Sequence, residues 1–345
     1  MITRVITATA EEGSAPPELV EAARCLREGG LVVFPTETVY GLGGNAVDPT
    51  AAAKIYAAKG RPADNPLIVH ISDPAEAEHY AVTTGLYRRL ADAFMPGPLT
   101  VVLPARDTIP RTVTAGLTTV AIRCPAHPVA RALIKEAGVP IAAPSANLSG
   151  TPSPTSCEHV REDMDGRVDY IIDGGASAIG LESTIVKPEP DGSLTLLRPG
   201  AITVEDLSAI APVRVADAVL GLLKQGERPL SPGMKYKHYA PTTPFFLLEG
   251  AEEQFITYVT ALPETSAVFV NDEDITRLEG ARATLIPVGR RSEPAVLAHK
   301  LFYLLRDLDK RGFAAIYAAL PQKGGLGLAL YNRMIRAAAH NVISL

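Results

Sequence analysis

The stretch that most constrains this chain runs from Pro35 to His70, PTETVYGLGGNAVDPTAAAKIYAAKGRPADNPLIVH. It leaves a short apolar run, Leu31, Val32, Val33 and Phe34, whose lack of alternation predicts a strand buried on both faces. Threonines, a tyrosine and glycines crowd the strand's exit, where Thr36, Thr38 and Tyr40 share one face if the extended conformation continues. An alanine-rich helix is predicted over residues 49–59, with Asp48 as its cap and Pro49 in its first position. The loop after it carries Lys59, Arg61 and Asn65 and is stiffened by Pro62 and Pro66. A second strand, residues 67–71, exposes His70 on the face opposite Leu67, Val69 and Ile71. Cations and an amide gathered at strand ends suit a small anionic ligand, each charge-assisted phosphate contact contributing about 1.5–3 kcal/mol where partly desolvated. Gly41 to Ala46 matches GxGxxA, but the helix starts beyond the match and no acidic strand end follows about 20 residues on, so the dinucleotide reading is set aside.

Composition bounds the rest. At 345 residues two domains are expected, and 47% hydrophobic with 21% charged residues describes a globular chain. A formal charge of −5 and the lack of a Lys/Arg block argue against general polyanion binding, so any RNA contact is local and weak. Cys25, Cys124 and Cys157 form no CxxC pair, and no apolar run of signal or membrane-spanning length is present, which points to the cytoplasm.

Further along, helices are expected over 17–28, 76–94 and 128–136, and strands over 99–103, 139–143 and 168–173. Alternation in TTVAIRCP sets Thr119, Ala121 and Arg123 on one face. An Arg in an apolar strand with no acid near it in sequence is read as holding a ligand carboxylate or phosphate, a structural ion pair being the alternative. Ala142 and Ala143 leave room before the polar loop APSANLSGTPSPTS, with Ser145, Asn147, Ser149 and Ser153. A hairpin turning between Pro190 and Asp191 puts Ser183 opposite Arg198, at its open end. A linker rich in Pro, Gly and charge carries Tyr236 and its basic neighbours. The last hundred residues read as a second α/β unit with strands at 245–248, 267–270, 283–287 and 314–320 and helices at 294–310 and 328–339. Its one polar cluster is Gly324-Gly325 with Asn332-Arg333, and no chemistry is placed there.

Lys59-Gly60-Arg61 followed far downstream by Ser145-Ala146-Asn147 resembles the signature of the YrdC/TsaC-type threonylcarbamoyl-AMP synthases in their longer two-domain form. PTETVYGLG, RPADNPLIVH, MPGPLT, PSANLSG, ESTIV, LRPGAI, SPGMKYKHYAP and GLGLALYNRMIRAA match in order, with a departure at Gln322-Lys323-Gly324. The resemblance implies a twisted mixed α/β sheet with helices over residues 1–210, a linker at 211–243 covering the active site, and a smaller Rossmann-like α/β domain at 244–345. It implies that ATP, L-threonine and bicarbonate or CO2 give threonylcarbamoyl-AMP and pyrophosphate, with Mg2+ held through the ATP phosphates, feeding tRNA threonylcarbamoyl transferase machinery. Carried over by position, Lys59 and Arg61 are catalytic. Arg61, Asn65, Thr119, Ser145, Asn147, Ser153, Arg198 and Tyr236 bind ATP, while Thr38, His70, Arg123, Ala143 and Ser183 bind threonine. The competing readings are a double-stranded RNA-binding or ribosome-associated module, and carbamoyl transfer through carbamoyl-AMP.

Overall fold

The computed structural model describes residues 2–9, 16–221 and 239–345. Their contacts separate two units, one of the described residues up to 221 and one of residues 239–345; the short segments Gly150–Pro152 and Ile179–Leu181 group with the second.

The first unit is built on a mixed sheet. Its strands are β1 (Arg4–Thr7), β2 (Val32–Phe34), β3 (Gly41–Asn45), β4 (Ile68–His70), β5 (Leu99–Pro104), β6 (Thr119–Arg123), β7 (Ile141–Ala143), β8 (Tyr170–Asp173), β9 (Thr184–Pro188), β10 (Leu194–Arg198) and β11 (Val213–Val215). They lie in the order β1-β8-β2-β3-β7-β4-β6-β5-β9-β10-β11. Strand β2 is fully buried, as its unbroken apolar run requires. Helices α1 (Pro17–Arg27) and Pro128–Ala137 pack over it through Leu19, Leu26, Leu133, Phe34 and Ile141. The glycines of β3 serve this packing, since a Cβ on Gly43 would lie 2.7 Å from Ile141 Cγ2 and 2.9 Å from Phe34 Cε1. Close approach to neighbouring strands, not a dinucleotide, explains them.

Several expectations are corrected. Thr36 to Tyr40 leaves the extended conformation: the Thr36 hydroxyl accepts from the amides of Thr38 and Val39 and donates to the Val39 carbonyl, a local turn that competes with strand pairing. Helix α2 (Ala51–Lys59) starts later than expected, because the Asp48 carboxylate accepts from Thr50 and forms a turn ahead of the helix rather than its cap. The single helix expected over 76–94 is broken. Ala77–Tyr80 stops at Ala81, which bridges Ala105, and Gly85–Phe94 restarts from Thr84, whose hydroxyl accepts from the Tyr87 amide. In the hairpin, Lys187 faces Thr195 and not Leu194, and a bulge beyond Leu196 puts Arg198 opposite Ile185. Val213–Val215 pairs with β10 and so belongs to this sheet instead of the linker, its Arg214 paired with Asp191 of the hairpin turn. Asp217–Leu220 of the expected linker is helical, and residues 222–238 of it, Tyr236 included, lie outside the described residues.

The second unit carries a parallel sheet of β12 (Phe245–Glu249), β13 (Ser266–Val270), β14 (Thr284–Pro287), β15 (Ala315–Ala319) and β16 (Val342–Ser344), in the order β14-β13-β15-β12-β16. Helices Pro294–Lys310 and Gly327–Ala337 lie close to expectation. Strand β16 and the helix Glu252–Thr260 were not foreseen. That helix is rich in β-branched residues, and only the spacing of buried Phe255 and Val259 reveals its period. Among the described residues no helix is long and apolar enough to cross a membrane.

Candidate active site

Helix α2 ends at Gly60, whose left-handed backbone (φ 60°) turns the chain sharply and leaves Lys59 pointing inward. Lys59 is 3% exposed. Its Nζ donates to the carbonyl oxygens of Ser145 (2.5 Å) and Asn147 (2.6 Å), with Asn147 Oδ1 at 3.3 Å. Ser145 Oγ donates to Asn147 Oδ1, and the Ser149 amide donates to the Lys59 carbonyl. The two halves of the sequence signature, 86 residues apart, thus meet in one knot. Three oxygens face the three ammonium protons, so Lys59 anchors the 145–149 loop, and contact with a phosphate requires releasing one of them.

Arg61 follows the turn, its guanidinium 6.0 Å from the Tyr56 ring centre, and Tyr56 donates to the Asn65 carbonyl. The Asn65 side chain is different in kind. It is fully buried, and neither its Oδ1 nor its Nδ2 has a hydrogen-bond partner among the described residues. A buried amide left open on both atoms costs about 1–3 kcal/mol, a penalty that a ligand able to accept and donate removes.

The second group lies along the sheet. His70 of β4 pairs with Arg123 of β6, and Arg123 with Thr100 of β5; Thr100 pairs with Ile185 of β9, and Ile185 with Arg198 of β10. Directly paired residues share a face, and Ser183 lies two positions from Ile185 on that same side. The hydroxyls of Thr100 and Ser183 are 2.8 Å apart, and Arg198 donates to both the carbonyl and the hydroxyl of Ser183 at 3.0 Å. Sequence reading found the Ser183–Arg198 pair although its register was wrong. The bulge shifts Arg198, but its side chain is long enough to reach diagonally across the ladder. Ile68, Ala121, Val102, Ile185 and Leu197 make an apolar cluster beside this polar row.

Arg123 is 4% exposed and is paired after all. Its Nη2 lies 2.7 Å from Glu37 Oε1, while Glu37 Oε2 accepts from the Ala126 amide. This corrects the search for an acid near it in sequence, since the partner comes from the turn after β2. The pairing leaves Arg123 Nε buried with no hydrogen-bond partner among the described residues. His70, expected to be exposed, is 4% exposed. Its ring meets Phe34 edge-on at 5.7 Å and its Nδ1 lies 3.1 Å from the Ile68 carbonyl oxygen. Burial, and then the charge of Arg123, pull its pKa down to about 3, so it is neutral beside the arginine.

The remaining expected residues divide. Thr119 begins β6 and Ala143 ends β7, both on the face of Arg123 through the registers of β4, β6 and β7. Ser153 Oγ donates to Glu182 Oε1 at 2.6 Å in a buried pair, and the Thr38 hydroxyl is 2.8 Å from that of Thr36. Glu37, Thr100 and Glu182 were missed. For Thr100 a signal existed, a hydroxyl inside the apolar run LTVVL; for the two glutamates no local pattern marks the partner.

Residues 24–200 match the family model described as Telomere recombination, shared by Sua5, YciO and YrdC, and residues 202–339 match the one described as Threonylcarbamoyl-AMP synthase, C-terminal domain. The chain belongs to the threonylcarbamoyl-AMP synthase family. A Threonylcarbamoyl-AMP synthase of Bacillus subtilis is 45% identical over 344 residues, 98% of each chain, and one of Pyrococcus abyssi is 43% identical over 93% of this chain and 94% of its own. The crystal structure of Pyrococcus abyssi Sua5 complexed with L-threonine superposes with a TM-score of 0.88 at 39% identity, covering all of both chains. Fold class and enzymatic activity are therefore those of the family: a mixed-sheet α/β unit followed by a parallel-sheet one, and synthesis of threonylcarbamoyl-AMP.

Proposed function

We propose that the first unit gathers L-threonine, CO2 or bicarbonate, and ATP on the face that carries Arg123, Ser183 and Arg198. The threonine amine and CO2 give a carbamate without a strong base, which suits a site whose histidine is neutral and weakly basic. A carbamate oxygen then attacks the α-phosphorus, the bond from that phosphorus to the α–β bridging oxygen breaks, and pyrophosphate leaves. Two anions must meet in this step, so positioned cations and hydroxyls supply most of what it needs.

The single observation that carries the reading is the continuous polar row from His70 through Arg123, Thr100 and Ser183 to Arg198, on one face of neighbouring strands. In it, Arg123 holds the threonine carboxylate with the group that Glu37 leaves open, and Thr38, His70, Ala143 and Ser183 surround the amino acid. Asn65, Thr119, Ser145, Asn147 and Ser153 fix the nucleotide, with Arg61 and Arg198 on its phosphates. Tyr236 belongs to the same proposal. Mg2+ would take its oxygens from the ATP phosphates and water, the arrangement this hard cation favours. Bound there, it supplies charge neutralisation. The product is passed to tRNA threonylcarbamoyl transferase machinery in the cytoplasm, with any RNA contact local.

The test mixes the protein with ATP, L-threonine, labelled bicarbonate and Mg2+. Threonine-dependent pyrophosphate release together with a labelled adenylate supports the proposal. Folded protein that yields neither sinks it.

A further inference from the structure

Glu37 stands between Thr36 and Thr38 in the bend that follows β2. The bend is held from within, since the Thr36 hydroxyl accepts from the Thr38 and Val39 amides and lies 2.8 Å from the Thr38 hydroxyl. From it the Glu37 side chain, 12% exposed, reaches the end of β6. One carboxylate oxygen lies 2.7 Å from Arg123 Nη2, and the other accepts from the Ala126 amide at 3.1 Å. Among the described residues Glu37 is the only hydrogen-bond partner of the Arg123 guanidinium. A single carboxylate therefore fixes the bend that carries Thr38 against the strand that carries Arg123.

The geometry separates two roles for this carboxylate. A buried arginine needs a counter-charge, and Glu37 supplies one. If neutralisation were all, both oxygens would meet the guanidinium as a fork, taking two of its nitrogens together in the strongest pairing these groups make. Glu37 forgoes that pairing. It takes one nitrogen, gives its second oxygen to the Ala126 amide, and leaves Arg123 Nε buried and bare. A bare, buried N–H on a guanidinium already clamped in place suits an incoming carboxylate. The clamp also removes the cost of ordering a long side chain at the moment of binding.

We propose that Glu37 is a positioning residue for the amino-acid substrate. It turns the Nε edge of Arg123 toward the substrate carboxylate and fixes the Thr38 bend relative to it. The site thereby selects an amino acid with a free carboxylate over its neutral amide. This role rests on Arg123 holding that carboxylate, as proposed above. Both Glu37 oxygens are needed, because two N–H donors face them. Glutamine keeps the shape but sets an NH2 group against one of those donors.

The test is calorimetric titration of the full chain with L-threonine, L-threoninamide and ATP, each alone. The wild type is expected to bind L-threonine about tenfold more tightly than the amide, the loss of one charge-assisted bond. Glu37→Gln should weaken L-threonine about tenfold, and Glu37→Ala at least as much, while the constants for L-threoninamide and ATP stay at wild-type values. Unchanged ATP binding shows the variant to be folded, and the isosteric Glu37→Gln decides the matter alone if Glu37→Ala does not fold. Variants that keep the wild-type preference for threonine over its amide overturn the role of Glu37 and leave the Arg123 assignment standing. Equal weakening of all three ligands makes Glu37 a structural counter-charge and overturns the role as well. A wild type that binds threonine and the amide alike removes the Arg123 assignment, and the role of Glu37 falls with it.

Discussion

The knot around Lys59 and the pair of open groups at Asn65 and Arg123 use the same kinds of side chain to opposite ends. Around Lys59 every ammonium proton faces a carbonyl or amide oxygen of the 145–147 loop. At Asn65 and Arg123 a buried amide and a buried guanidinium Nε are left without partners among the described residues. The first arrangement is complete in the unliganded chain and acts on structure. The second leaves atoms open among the described residues, which the proposed function assigns to a ligand. Proximity to a signature motif therefore does not tell which residues touch substrate; the state of each donor and acceptor does.

The largest effect that would sharpen this contrast comes from Lys59→Ala. Removing the ammonium takes the Lys59 donor from the Ser145 and Asn147 carbonyl oxygens, while Asn147 Oδ1 keeps the Ser145 hydroxyl, so urea unfolding should show a loss of about 3 kcal/mol and pyrophosphate release should fall at least a hundredfold. Unchanged stability would break the contrast by making Lys59 a ligand group alone. Arg123→Ala comes next: the threonine dissociation constant should rise ten- to a hundredfold, as expected for about 1.5–3 kcal/mol of charge-assisted bonding, and by more than that of ATP. Equal losses for the two substrates would refute the assignment of its open Nε to the amino acid. Asn65→Leu tests the opposite sign. It discards a buried polar group that nothing satisfies, so the unliganded chain should be no less stable in a thermal melt, while ATP binding weakens about tenfold. A destabilised melt would place Asn65 with the structural knot.

The smallest effect concerns pH. With its folded-state pKa near 3, His70 stays neutral in the native chain while the unfolded state takes up a proton below about 6.5. Its contribution is fully present above pH 6.5 and declines as pH falls from there toward 3. Between pH 7 and pH 5 the wild type should lose on the order of 1–2 kcal/mol more than His70→Gln in denaturant titrations. Parallel curves for the two proteins would mean that His70 is not held neutral by burial beside Arg123.

What the amino-acid order determined is local and periodic. The unbroken run at β2, the alternation through Thr119, Ala121 and Arg123, the alanine-rich helix ended by Gly60 and the spacing of both signature halves are short-range patterns set by backbone geometry and burial. They placed most of the strands and helices and, with the family resemblance, singled out Lys59, Ser145 and Asn147, which meet in one knot, and Ser183 and Arg198, which meet in another. Tertiary structure alone decided what each of those groups meets. Glu37 reaches Arg123 across 86 residues, a bulge carries Arg198 past its expected partner, and β11 joins a sheet from a segment that reads as linker. The reason is physical: hydrogen bonds and ion pairs act over about 3 Å, whereas the chain brings their partners together through folds in which separation along the sequence carries no record of distance in space.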